Sequence, residues 1–153
     1  MVIGIDVATD RLNCVALETD RSFAGGRVYA ADDLGRLTKW AAEAEVIAID
    51  APAELSTAPH IADDSLSPKF RAARCAEIAL GRDHGIWVPW TSPASPPIPG
   101  WIATGLEVYS ALATSVPADV IEVFPYAGFR VSTRPARLAK KTSVAGIQQR
   151  VHC

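Results

Sequence analysis

Two aspartates stand in matching settings, Asp6 in Val2-Ile3-Gly4-Ile5-Asp6-Val7-Ala8 and Asp50 in Val46-Ile47-Ala48-Ile49-Asp50-Ala51-Pro52. Each closes a short β-branched run of the kind that reads as a strand buried on both faces. A carboxylate is expensive inside such a strand unless it is charge-compensated or sits at the open end. Two strands delivering an aspartate at the same relative position point to one shared site. A bound divalent cation, Mg²⁺ or Mn²⁺, is the simplest reason to hold two carboxylates side by side. The alternative is that each aspartate caps the turn after its strand. A third acid, Glu122, lies within the apolar run 119–125 rather than beyond it, which makes it harder to dismiss as solvated.

Positioning these acids requires a sheet. After Asp6, Val7-Ala8-Thr9-Asp10-Arg11 reads as a turn and 12–18 as a second strand. Thr19-Asp20-Arg21-Ser22 reads as another turn and 23–30 as a third strand, with Gly25-Gly26 marking a bulge or a close backbone approach. Connections this short join antiparallel neighbours. Asp32 or Asp33 then caps a helix over 34–44, where Leu34, Leu37, Ala41 and Ala44 recur at helical spacing. The return of 46–50 as a strand implies a parallel crossover that flanks the first strand. Residues 51–68 and 86–100 read as proline-bearing loop insertions, the second framed by Trp87, Trp90 and Trp101. Those aromatics either stack on bases or cover a core edge. Between the loops, a helix over 69–82 would put Arg71, Arg74 and Glu77 on one broad face. A helix over 101–113, a fifth buried strand over 119–125 and a final helix starting near Thr142 or Ser143 complete the order. That last helix carries Val144, Ile147 and Val151 on one side, and 126–141 receive no assignment.

The order strand-strand-strand-helix-strand-helix-strand-helix, with acids on the first, fourth and fifth strands, resembles the ribonuclease H fold. That is an α/β architecture with a mixed five-stranded sheet, a three-stranded antiparallel meander plus two parallel strands, and helices on both faces. The segments Gly4-Ile5-Asp6-Val7-Ala8, Ile49-Asp50-Ala51-Pro52, Arg74-Cys75-Ala76-Glu77 and Gly100-Trp101-Ile102-Ala103-Thr104-Gly105 carry the likeness further. With Glu122-Val123-Phe124-Pro125-Tyr126-Ala127-Gly128-Phe129 and Lys140-Lys141-Thr142 followed by Gly146, they fall in the order seen in one family. The chain thus resembles the predicted ribonuclease-H-like nuclease family, the domain family of unknown function numbered 429. The likeness spans nearly all of 1–153 as one domain.

The resemblance implies a metal-dependent nuclease acting on nucleic acid, with Asp6, Asp50 and Glu122 as the acids that hold Mg²⁺ or Mn²⁺. Asp6 would bridge two ions, Asp50 and Glu122 would hold one each, and Arg74 or Lys141 would offset charge on the scissile phosphate. Arg74, held by Glu77, would point toward the acids. Members of that family continue into a further helix with an Asp-Asp-Ala-x-Asp-Ala-like motif, and this chain stops first. The expectation is therefore a C-terminally incomplete domain with weak metal binding and little nuclease activity.

Composition narrows the alternatives. A chain with 49% hydrophobic and 21% charged residues is ordinary for a soluble globular domain. No stretch approaches the ~18 apolar residues of a membrane span, and the N-terminus enters a strand rather than a signal peptide. Cys14, Cys75 and Cys153, odd in number and widely spaced, suit a reducing cytoplasm better than a disulfide framework, with Cys14 and Cys75 packing as small apolar residues. His60, His84 and His152 are isolated. A net charge of −2 argues against a strongly basic nucleic-acid surface, though a metal and a few arginines could grip phosphate locally. Two other function classes compete. A nucleotide-binding module of the actin and sugar-kinase type begins with a similar Gly-Ile-Asp strand. It needs a phosphate hairpin, for which Ala8-Thr9-Asp10-Arg11 supplies only Thr9. A non-catalytic scaffold would use the acids only to cap turns.

Overall fold

The computed structural model describes residues 1–88, 92–133 and 138–151. Strand β1 (Val2–Val7) alternates strictly, turning Ile3, Ile5 and Val7 inward and Val2, Gly4 and Asp6 outward. It pairs antiparallel with β2 (Arg11–Leu17), which in turn pairs antiparallel with β3 (Phe23–Ala30). The pairing skips one residue near the two glycines: Ala16 lies opposite Gly25 and Leu17 opposite Phe23, so Ala24 is the extra residue of a bulge. After helix α1 (Leu34–Ala41), β4 (Val46–Asp50) lies parallel to β1, and β5 (Asp119–Glu122) lies parallel to β4. The sheet order is β3-β2-β1-β4-β5, the expected meander plus two parallel strands.

Helix α4 (Gly100–Ser115) packs with α1 over one face of this sheet. Leu37 and Ala41 from α1 and Val108 and Leu112 from α4 meet Ile3, Ile5, Leu12, Cys14, Ile47 and Ile49 in a single apolar core. A fully buried Leu or Ile in such a layer contributes roughly 1.5–3 kcal/mol. The other face is different. Val2, Val15 and Val28 are exposed there, and the interior runs of β1 and β4 are buried on one side only. The expectation of strands buried on both faces is therefore corrected: α1 and α4 pack over one face, while Val2, Val15 and Val28 on the other stay open to solvent. A β-branched run fixes strand propensity but not how many faces find a partner.

Four further differences have local causes. Helix α1 ends at Ala41 rather than 44, although Ala44 remains buried in the core. The helix expected over 69–82 is two, α2 (Pro68–Arg71) and α3 (Cys75–His84), because Arg74 is extended (φ −73°, ψ 157°) and begins the second. Strand β5 has four residues at the sheet edge, with Ile121 46% exposed, so it is neither seven residues long nor buried. Helix α5 (Pro125–Thr133) forms where the sequence suggested nothing, since Gly128 and Val131 are weak helix formers and Pro125 at the first position is its clearest start signal. Helix α6 (Val144–Val151) leaves Val144 and Ile147 exposed. Cys14 is buried as expected, which pushes its thiol up to about 11, whereas Cys75 is exposed. Trp90 and Cys153 lie outside the described residues. No described helix is long and apolar enough to cross a membrane.

Candidate functional site

The parallel register of β1 and β4 sets Asp6 directly beside Asp50 on the open face. Both stand at the carboxyl ends of their strands, where open α/β sheets place ligands. Asp6 is exposed and is steadied from β2 by Asn13, whose Nδ2 donates to Asp6 Oδ2 at 3.1 Å. Asp50 is half-buried. Burial, and then the neighbouring Asp6 carboxylate, raise its carboxyl from 3.8 to about 6, while Lys141 pulls the other way. The pair is thus a strained electrostatic arrangement with one cation nearby. Asn13 was not singled out from the sequence. Only the antiparallel register that sets it opposite Asp6 would have found it.

Glu122 takes a different course. It pairs with Ile49, whose side chain enters the core, so it leaves the sheet out of phase with Asp50. Its Oε2 accepts from the Ala53 N–H at 2.9 Å and from Arg74 Nη1 at 2.7 Å, and Oε1 accepts from Arg74 Nη2. Burial pushes its carboxyl up, but the hydrogen bonds and charge of Arg74, with the Ala53 N–H, outweigh that and hold it below the ordinary value. Arg74 also bonds Glu77 Oε1 through Nε and Nη2, both at 3.4 Å. Glu77 is 6% exposed and accepts in addition the N–H groups of Arg74 (2.9 Å) and Ser92 (3.0 Å). A buried carboxylate demands that many donors. The Glu122 and Glu77 bonds raise the Arg74 guanidinium, so it stays charged. Among the described residues, no three acidic, histidine or cysteine side chains come together as a cation site. The three acids expected to share metal are divided, Asp6 with Asp50 and Glu122 with Arg74.

Helix α4 ties this end of the sheet together. Thr104 Oγ1 donates to the Thr9 carbonyl at 3.2 Å, after β1, and Tyr109 Oη donates to the Ala51 carbonyl at 3.2 Å, after β4. Burial and the nearby Glu122 carboxylate push the Tyr109 hydroxyl up, so it remains a donor. Such proximity needs glycine: a Cβ on Gly105 would stand 2.6 Å from Ala51 Cβ, and one on Gly100 2.6 Å from Thr9 Cγ2. Two cavities meet at Asp50 and Phe124. One of about 140 Å³ runs between Arg74, Glu77, Leu80, Trp101 and Glu122. The other, about 640 Å³, is bounded by Trp87, Pro125, Tyr126, Phe129 and Lys141.

Two adjacent carboxylates of which one is unneutralised fit a single hard cation completed by water, since oxygen donors and negative charge are what Mg²⁺ and Mn²⁺ require. They do not fit a two-ion cage through Glu122, whose oxygens are already engaged by Arg74 and Ala53. Fold and site together define an α/β protein with a mixed five-stranded sheet and a carboxylate pair at the ends of its parallel strands. No protein-family model matches the chain, and no curated protein or solved structure matches it.

Proposed function

We propose that Asp6 and Asp50 hold one divalent cation and that the chain is a ribonuclease-H-like, metal-dependent phosphodiesterase acting on nucleic acid. The observation that carries this reading is the in-register Asp6–Asp50 pair, with the Asp50 carboxyl raised to about 6 by burial and by Asp6. When bound, Mg²⁺ or Mn²⁺ supplies Lewis-acid stabilisation of charge on a phosphoryl oxygen. The chain's own groups do the rest. Asn13 orients Asp6. Asp50 loses its proton above about pH 6 and then becomes a full ligand. Lys141, close enough to lower the Asp50 carboxyl, faces the same ground where a non-bridging phosphate oxygen would lie. Arg74 acts on Glu122 and is a positioning residue.

Charge supports a diester. Asp6, Asp50 and Lys141 together carry one net negative charge, a divalent cation turns that to one positive, and a phosphodiester brings one negative. A phosphomonoester, closer to two negative charges at neutral pH, would leave the site overcharged. The test is thermal melting at pH 8 with Mn²⁺ against a chelator control. Mn²⁺ should raise the melting temperature of the parent chain and leave that of Asp6→Asn unmoved. Equal stabilisation of both proteins by Mn²⁺ overturns the shared-cation reading.

A further inference from the structure

We infer that the 640 Å³ cleft beside Asp50 is a base-stacking platform, so that the nucleic acid this site takes is single-stranded rather than duplex. The inference rests on the phosphodiesterase reading and names its substrate class. Among the described residues, the rings of Trp87, Phe124, Tyr126 and Phe129 wall the cleft together with Pro125, Lys141 and Asp50. Two of the rings are open to solvent, Trp87 at 44% and Tyr126 at 37%. Exposed aromatics next to a carboxylate pair that would hold a cation are what a splayed strand needs, since every base has a face to stack and in a duplex those faces are already taken by neighbouring bases.

The rings are held rather than loose. Trp87 lies against Phe70 with ring centroids 4.7 Å apart, and it packs so closely on α3 that a Cβ at buried Gly81 would stand 2.5 Å from its Cε3. Tyr126 is buttressed by Phe124 at 5.9 Å and by the Arg130 guanidinium, 5.9 Å from its ring centre and bonded to its hydroxyl at 3.2 Å. Such rings lose little freedom when a base arrives. Charge runs the same way. Residues 124–153 contain six of the chain's fifteen Lys and Arg and none of its seventeen Asp and Glu, although the whole chain is acidic. Of these, Lys141 lines the cleft and Arg130 lies against Tyr126, which favours a polyanion there. The cleft therefore offers stacking faces and cations together, and the carboxylate pair borders it.

The test is fluorescence anisotropy of labelled oligothymidylate with Ca²⁺ as the cation, against a duplex of equal length and inorganic polyphosphate as competitor. The single strand should bind at least tenfold more tightly than the duplex, and polyphosphate should displace it poorly. Tyr126→Ala should weaken single-strand binding about tenfold, the loss of one stacked base, with duplex binding unchanged. Trp87→Ala should do the same. Because Trp87 also packs on Phe70, the exposed Tyr126 variant decides if the Trp87 variant melts early. Lys141→Ala should weaken both ligands and flatten the salt dependence. Duplex binding as tight as single-strand binding, equal competition by polyphosphate, or undiminished binding by folded Tyr126→Ala overturns the inference. The Mn²⁺ melting experiment contains no nucleic acid, so its failure removes the catalytic reading while the oligonucleotide result judges the cleft separately.

Discussion

Replacing Asp50 by Asn should stabilise the metal-free protein at pH 8 and do nothing for it at pH 3. In the folded chain the Asp50 carboxyl is raised from 3.8 to about 6, first by burial and then by Asp6. The folded state therefore binds the proton more tightly than the unfolded chain does. Stability from this group is fully present below about pH 3.8, falls as pH rises, and is lost once pH passes about 6. Each pH unit of displacement is worth ~1.4 kcal/mol, which would give ~3 kcal/mol at a dry site. Asp50 is only half-buried and Lys141 stands nearby, so solvent screening reduces the figure to ~1–2 kcal/mol. Asn keeps the shape and removes the charge. For a chain of this length, that gain corresponds to a rise of roughly 2–8 °C in melting temperature. The assay is calorimetry or circular-dichroism melting with chelator at several pH values between 3 and 8. The difference between variant and parent should open across the interval from about 4 to 6. A variant that is less stable than the parent at pH 8, by as much as at pH 3, would show that the Asp50 carboxylate is already compensated and would refute the electrostatic argument for a cation there.

Two further outcomes separate the remaining parts of the site. Arg74→Met should cost ~3 kcal/mol or more in urea unfolding, because it strands the buried Glu77 and the partly exposed Glu122 without a cation, while Glu45→Gln, which alters only the solvent-exposed pair with the N-terminal amine, should leave the urea midpoint essentially unmoved. Gly105→Ala forces a Cβ to 2.6 Å from Ala51 and should cost ~1–3 kcal/mol. It should also weaken Mn²⁺ stabilisation, since Ala51 follows Asp50 directly.

Much of the sheet was legible because two-residue periodicity and short connections leave few choices. The strands ending in Leu17 and Ala30 are joined to their neighbours by links too short for anything but antiparallel pairing. The one helix-length gap between β1's meander and β4 left room only for a parallel return. What local pattern could not convey is burial, which depends on partners far away in the chain. Val2 and Val15 look like core residues in the sequence and are exposed. Arg74 sits in a stretch with helical spacing, yet its backbone is extended because Glu77 reaches back to accept its N–H. That reciprocal bond between the start of a helix and its third residue is a known helix-start signal, but an arginine at the first place disguises it.

The acids teach the same lesson more sharply. Asp6 and Asp50 close similar β-branched runs and Glu122 lies within a third, but nothing in those runs says what each acid meets. Their fates are set by side chains from other elements. Asp6 meets Asn13 of β2, Asp50 faces the Asp6 carboxylate with Lys141 nearby, and Glu122 meets Arg74 at the head of α3. Register was readable for the first two, because two aspartates at equivalent positions of parallel neighbours must lie side by side. It was not readable for Glu122, since β5 is one residue out of phase: Glu122 pairs with Ile49 and so points away from Asp50. A single residue of phase in a parallel strand moves a carboxylate to the other face. That shift, followed by capture by Arg74, separates one neutralised acid from the adjacent Asp6–Asp50 pair.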